Sequence, residues 1–134
     1  MLSVIIVNYN VKYYLEQCLE AVHRASQGLQ VEILVVDNLS TDGSVSYLRE
    51  RFPKVIFIEN KVNLGFARAN NQAIRMSSGK YVLLLNPDTL ITERTLNDFV
   101  EFMEAHPEAG GVGAYMLRTD GTFAPESRRG LPTP

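Results

Sequence analysis

The chain has 134 residues, with 13 Lys and Arg against 15 Asp and Glu and a formal net charge of -2. That length suits one domain able to bury a core, and the balanced charge leaves no footprint for nucleic acid and no polybasic face for a membrane. Hydrophobic residues make up 46%, ordinary for a soluble protein, yet the longest apolar runs are far too short to cross a bilayer and no signal-peptide pattern opens the chain, so the expected location is cytoplasmic.

Residues 3–8, Ser3-Val4-Ile5-Ile6-Val7-Asn8, form a continuous apolar run, the pattern of a strand covered on both faces. A helix is predicted over about 11–24, with Leu15, Cys18, Leu19 and Val22 on one stripe and Gly28 closing the unit. Cys18 is the only cysteine; its spacing reads as a small core residue rather than a reactive thiol. A second strand over 31–36 ends at Asp37, and residues 38–44 are dense in turn and N-cap types. The next helix carries Val45, Leu48 and Phe52 and stops at Pro53. A third strand over 55–58 leads through residues 60–65 into a helix over 66–76, which ends near Ser77-Ser78-Gly79.

The fourth strand, 81–85, halts at Asn86-Pro87-Asp88, and its helix shows Leu96, Phe99, Val100 and Met103 on one face before Pro107. A fifth strand is predicted over 112–117, followed by a hairpin turn at Thr119-Asp120-Gly121-Thr122. The tail, 127–134, has no period. Four strand-helix units in series predict an α/β fold, an open and mostly parallel sheet with helices on both faces and right-handed crossovers.

Ligands of such sheets lie beyond the carboxyl ends of the strands. Four polar segments fall there: Asn8-Tyr9-Asn10, Asp37-Asn38, residues 60–65 and Asn86-Pro87-Asp88. No G-x-G-x-x-G follows the first strand and Gly79-Lys80 is not a P-loop, which counts against dinucleotide and ATP chemistry. Asp37 offers a carboxylate to a nucleobase imide or a ribose hydroxyl, or else accepts N–H groups of its own turn. Asp88 can anchor a hard divalent cation shared with substrate phosphates, or cap the helix that follows. Asn63-Leu64-Gly65 opens the third helix, where Gly65 permits close approach or a positive φ. Asn71 shares a helical face with Ala67 and Ile74, expected to point inward, where its amide pins loops or meets a ligand. His23 and His106 have no metal-ligand spacing and read as surface or structural residues.

In order, residues 3–10, 35–44, 63–71 and 83–89 resemble the family 2 glycosyltransferases, which have the GT-A fold, that of nucleotide-diphospho-sugar transferases. Asn-Pro-Asp-Thr at 86–89 together with Gly65-Phe66-Ala67-Arg68-Ala69-Asn70-Asn71 resembles the rhamnosyltransferase-type branch. The resemblance implies an inverting transfer from a nucleoside-diphosphate sugar to a glycan or lipid-linked acceptor, with Mg or Mn as cofactor. It implies that Asn8, Tyr9, Asn10 and Asp37 hold the nucleoside, with Asn38, Asn63, Gly65, Asn71 and Asn86 completing the donor site and Asp88 the metal ligand. Asn86 stands where the family's D-x-D motif has its first Asp, and Asn70 replaces a common Arg. The family's base lies well past this motif, so the resemblance implies a catalytic base beyond Pro134. The expected organisation is a single sugar-nucleotide-binding domain over 1–134 that stops before the acceptor and base part. The acids after Asp88 (Glu93, Asp98, Glu101, Glu104, Glu108, Asp120 and Glu126) offer no evident base. Arg128-Arg129 reads as a solvated tail or a diphosphate contact. Peripheral membrane association through further parts, a non-catalytic nucleotide-sugar-binding module, and a nucleotidyltransferase on a related sheet complete the expectations. The last lacks the Gly-rich basic loop that it needs after the first strand.

Overall fold

The computed structural model describes residues 1–125. Along the chain run β1 (Leu2–Asn8), α1 (Lys12–Ala25), β2 (Val31–Asp37), α2 (Ser44–Arg51), β3 (Ile56–Glu59), α3 (Phe66–Met76), β4 (Tyr81–Leu85) and α4 (Thr95–Ala105). Of the described residues, Met1–Val100 form one compact unit and those from Glu101 onward a second.

The sheet of the first unit is fully parallel, in the order β3-β2-β1-β4. β1 is an inner strand, and all seven of its residues are buried, which is why residues 4–7 run apolar without alternation. The chain steps from β1 outward to β2 and β3, then returns to the far side of β1 for β4. With crossovers of one hand, that reversal must move a helix to the opposite face. Accordingly α1, α2 and the start of α4 pack Leu15, Cys18, Leu19, Val22, Leu48 and Leu96 against Leu2, Val4, Ile6 and Val35. On the other face α3 packs Ala69 and Ala73 against Ile5, Val7, Leu34 and Val36. Because α3 covers the β1–β2 side, Val82 and Leu84 of β4 stay exposed on that face.

Two expectations need correction. The inward face of α3 is Ala69, Asn70 and Ala73, whereas Ala67, Asn71 and Ile74 are exposed. Small side chains let the helix lie close to the sheet, so alanine rather than isoleucine sets the buried phase. No named strand forms over 112–117: the segment is exposed, and it is joined to its neighbour by an isolated bridge between Leu117 and Phe123, by the Ala124 N–H donating to the Met116 carbonyl at 3.0 Å and by the stacked rings of Tyr115 and Phe123. Glycines at 110, 111 and 113 make ordering that run entropically costly, and no named strand pairs with it to offset the loss. The turn itself does form, with Arg118 N–H donating to the Thr122 carbonyl at 2.8 Å and Thr122 N–H to Asp120 Oδ1 at 2.9 Å. Glu126 and the tail from Ser127 to Pro134, with Arg128-Arg129, lie outside the described residues. The expected base beyond Pro134 lies outside them as well.

At the amino edge of the sheet, one oxygen of Glu32 gathers the turn before β4. Glu32 Oε1 accepts from the Ser3 hydroxyl at 2.5 Å, from Ser78 N–H at 2.5 Å and from Gly79 N–H at 3.1 Å. Gly79 N–H also donates to Ser3 Oγ at 2.9 Å. The Ser3 hydroxyl, then the Ser78 N–H, hold the Glu32 carboxyl below its usual range. Gly79 allows this closure, because a Cβ there would lie 2.6 Å from the Ser3 backbone nitrogen and 2.8 Å from the Tyr81 carbonyl oxygen. Backbone atoms cannot swing aside, so Gly79→Ala is expected to lower unfolding stability by about 2 kcal/mol, measured by urea denaturation. The Glu32 contribution is present above the carboxyl's unfolded pKa and lost as pH falls through its lowered folded value; Glu32→Gln is expected to flatten that acid limb.

Candidate functional site

The carboxyl ends of β1 and β2 are paired residue to residue, Asn8 opposite Asp37. Both side chains are buried, Asn8 completely and Asp37 at 4% exposure. Asn8 Nδ2 donates to Asp37 Oδ1 at 2.7 Å, to Ser44 Oγ at 2.8 Å and to Ser40 Oγ at 3.1 Å. A carboxylate only accepts, so the amide nitrogen must face it. One of its hydrogens serves Asp37 and the other is shared by the two hydroxyls. That choice leaves Asn8 Oδ1 buried with no partner among the described residues, a cost the charge-assisted bond offsets. Asp37 Oδ2 accepts the Ser40 N–H at 2.9 Å. Each oxygen of Asp37 is therefore held by one donor, which fixes the plane of the carboxylate and leaves acceptor capacity on both atoms. The turn reading and the ligand reading of Asp37 are compatible.

The loop after β2 is tied to both neighbouring loops. Asn10 N–H donates to Ser40 Oγ at 3.0 Å, and Asn10 Oδ1 accepts the Thr41 N–H at 2.7 Å. Asp42 Oδ2 accepts the Lys12 N–H and Oδ1 the Ser44 N–H, each at 3.0 Å. Burial works to raise the Asp42 carboxyl, but the Ser44 hydroxyl, the Ser44 N–H and the Lys12 N–H together bring it below its usual range. On the other side Asn38, 2% exposed, accepts from Asn60 Nδ2 at 3.1 Å and donates to the Gly65 carbonyl at 3.4 Å. Gly65, immediately before α3, has φ 75°, and Asn63 Oδ1 accepts its N–H at 2.9 Å.

The expected site residues thus fall into two sets. Asn8, Asp37 and Asn38 are buried and fix geometry, whereas Tyr9, Asn10, Asn63, Gly65, Asn86 and Asp88 are exposed along the same carboxyl edge. Asn71 is exposed on α3 and joins neither network, while its neighbour Asn70 is buried and donates to the Phe66 carbonyl at 3.0 Å. Ser40, Asp42, Ser44 and Asn60 hold these loops together by hydrogen bonds but are not among the site residues named from the sequence. The Ser, Thr and Asp density of residues 38–44 is the only signal for the first three.

Asp88 follows β4, on the other side of β1 from Asp37. Two strand spacings separate the two strand ends, about 10 Å. Among the described residues its carboxylate has no hydrogen-bond partner, and α4 starts only at Thr95, so Asp88 caps no helix. Beneath this turn, the Asn86 carbonyl accepts the Thr89 N–H at 3.1 Å and the Cys18 thiol at 3.7 Å. Burial, then the Asp88 charge, pushes the Cys18 thiol up to about 12. Among the described residues no three His, Cys, Asp or Glu side chains gather as a metal cage, and no helix is long and apolar enough to cross a membrane.

The profile of Glycosyl transferase family 2 matches residues 3–131. The chain belongs to glycosyltransferase family 2. Among curated relatives of this family 2 chain, it is 30% identical over 78% of its length to the minor teichoic acid biosynthesis protein GgaB of Bacillus subtilis, of which it spans 12%. It is 27% identical over 96% of its length to an N-acetylglucosaminyl-diphospho-decaprenol L-rhamnosyltransferase of Mycobacterium tuberculosis, of which it spans 45%. Among solved structures, the mannosyltransferase PcManGT of Pyrobaculum calidifontis, in complex with GDP-Man and Mn2+, aligns with TM-score 0.72 and 28% identity over 87% of this chain and 35% of that one. TarS of S. aureus in complex with UDP aligns with TM-score 0.70 and 25% identity over 87% of this chain and 39% of that one. The α/β parallel-sheet fold is that of GT-A proteins. The chain spans about half or less of the length of these relatives, and they differ in what they transfer, the rhamnosyltransferase being one among several.

Two outcomes follow from this family 2 site. Asn8→Ala removes a donor from a buried carboxylate and is expected to cost about 2 to 3 kcal/mol in urea unfolding. A buried, protonated Cys18 should react with iodoacetamide at pH 8 at least ~100-fold more slowly in the native protein than in denaturant, as timed by mass spectrometry.

Proposed function

We propose that this chain is the donor-binding part of an inverting glycosyltransferase that takes a sugar from a nucleoside diphosphate and passes it to a glycan or lipid-linked acceptor. The observation that carries the proposal is the carboxylate of Asp37, clamped on both oxygens at the end of β2, with the unpaired carboxylate of Asp88 two strands away. The clamped group suits an N–H or hydroxyl donor of a nucleoside, since its acceptor directions are fixed before binding. The free one suits a diphosphate–cation unit. PcManGT with GDP-Man and Mn2+ and TarS with UDP support the ligand class.

A divalent cation fits the donor set. Asp88 is exposed and makes no described hydrogen bond, and the exposed Asn86 beside it adds a neutral oxygen. A single carboxylate plus substrate phosphates is a common arrangement for Mg²⁺. When bound there, the ion would neutralise charge on the leaving diphosphate. The chain's own contribution is to orient the nucleoside through Asp37, with Asn8 and Ser40 keeping that carboxylate from turning.

General-base chemistry is assigned to none of the described acids. Asp98 pairs with Arg94 at 3.0 Å, Glu108 contacts His106 at 3.1 Å, and Asp120 binds the turn at Thr122. The base is therefore placed, as part of this proposal, beyond Pro134 in a longer polypeptide. The greater length of the matched relatives supports that placement. Sugar, acceptor and membrane association of the whole protein belong to the same proposal, with hexosyl or deoxyhexosyl transfer into a bacterial-type polysaccharide as the expected class. The relatives GgaB and the rhamnosyltransferase support that class.

Calorimetric titration with UDP and GDP, each with and without Mn2+, checks the reading. One nucleotide is expected to bind more tightly with the ion, and at 100 times its Kd to raise stability by about 2.7 kcal/mol. Asp88→Ala should abolish the Mn2+ dependence. Asp37→Ala should weaken binding at least ~10-fold while that dependence persists. Binding indifferent to Mn2+ and to both substitutions would remove these residues from the site.

A further inference from the structure

Six described residues have positive φ, and four of them are glycines: Gly28, Gly43, Gly65 and Gly121. The others are Asn10 at 55° and Leu39 at 68°. Asparagine is one of the few residue types that visit this region readily, and Asn10 is held there by accepting the Thr41 N–H from the neighbouring loop. Leucine has no such compensation, and a left-handed leucine bears a steric cost that glycine would not. Burial does not offset it either, for Leu39 is 49% exposed. The strain is imposed from both sides. Before it, Asn38 N–H donates to the Asn8 carbonyl at 2.9 Å; after it, Ser40 N–H donates to Asp37 Oδ2 and Ser40 Oγ accepts from Asn8 and Asn10. The same contacts that clamp Asp37 therefore force Leu39 into this conformation.

Strained residues persist where a function uses the geometry. We propose that Leu39 forms an apolar wall of a nucleobase subsite, a role that rests on the nucleotide-binding reading above. Leu39 and Tyr9, which is 52% exposed, leave the same sheet edge from the paired strand ends Asp37 and Asn8. An edge acceptor flanked by exposed apolar side chains matches a flat heterocycle with polar rim and apolar faces. A ribose or a phosphate has no such faces, so the base is the part of the donor that this wall recognises.

The test uses two substitutions and two ligands. Leu39→Gly relieves the backbone and removes the wall; Leu39→Ala removes the wall and keeps the backbone restricted. Leu39→Gly is expected to raise the melting temperature by about 2 to 5 °C. Both are expected to weaken the nucleotide that the wild type binds by about three- to tenfold, while pyrophosphate with Mn2+ binds all three proteins equally. Opposite signs for stability and affinity are something a purely structural residue does not produce. If Leu39→Ala binds nucleotide as the wild type does, the wall is overturned and the site reading stands. Equal loss for pyrophosphate would overturn it too, by showing general damage. A wild type that binds neither UDP nor GDP would bring down the site reading and this inference with it.

Discussion

The hydrogen bond between Asn8 and Asp37 is the contact on which the rest of the carboxyl edge depends. It joins the two inner strands at their last paired residues, inside the protein, where a carboxylate without donors would be costly to bury. Around it the chain has built a closed arrangement. Ser40 and Ser44 accept the second amide hydrogen, Ser40 donates its N–H back to Asp37, and Asp42 secures the start of α1. A single amide thus ties the end of β1 to the end of β2 and to Ser40 and Ser44 beyond it, while its own oxygen is left with no described partner.

This arrangement also explains why polar residues can follow such apolar strands without loosening them. The strands supply burial and the parallel ladder supplies register, so the first polar residue of each loop arrives at a fixed height. Reversal of the strand order at β1 places Asp37 and Asp88 on opposite sides of that strand, at the switch point where ligands of open α/β sheets bind. Cys18 contributes from below as a packed, protonated group under the turn that presents Asp88.

Much of this is legible in the sequence, because strand periodicity and burial are the same fact seen twice. The four strands, their helices and the polar edge follow from apolar runs ending at Asn8, Asp37, Glu59 and Leu85. What fails is phase and partnership. On α3, Ile74 looks like the core residue, yet the close approach to the sheet selects Ala69 and Ala73. Over 112–117 the composition is that of a strand, but a strand exists only with a partner, which local composition does not encode. Within the site, sequence marks Asn8 as a ligand residue without revealing that its amide is committed inside the protein. Leu39 gives no signal at all, since backbone strain has no letter in the sequence.

The Glu32 knot lies at the other end of the strands from these loops. It gathers Ser3, Ser78 and Gly79 through one oxygen and allows no added carbon. Register of β1 against β2 and β4 is thereby set at the end of the sheet opposite the proposed donor site. Such a division has an evolutionary consequence: a lineage can rewrite the carboxyl-edge loops, changing what is bound, without renegotiating how the sheet assembles. Tolerance to innovation at one end rests on intolerance at the other, and sequence divergence should concentrate accordingly.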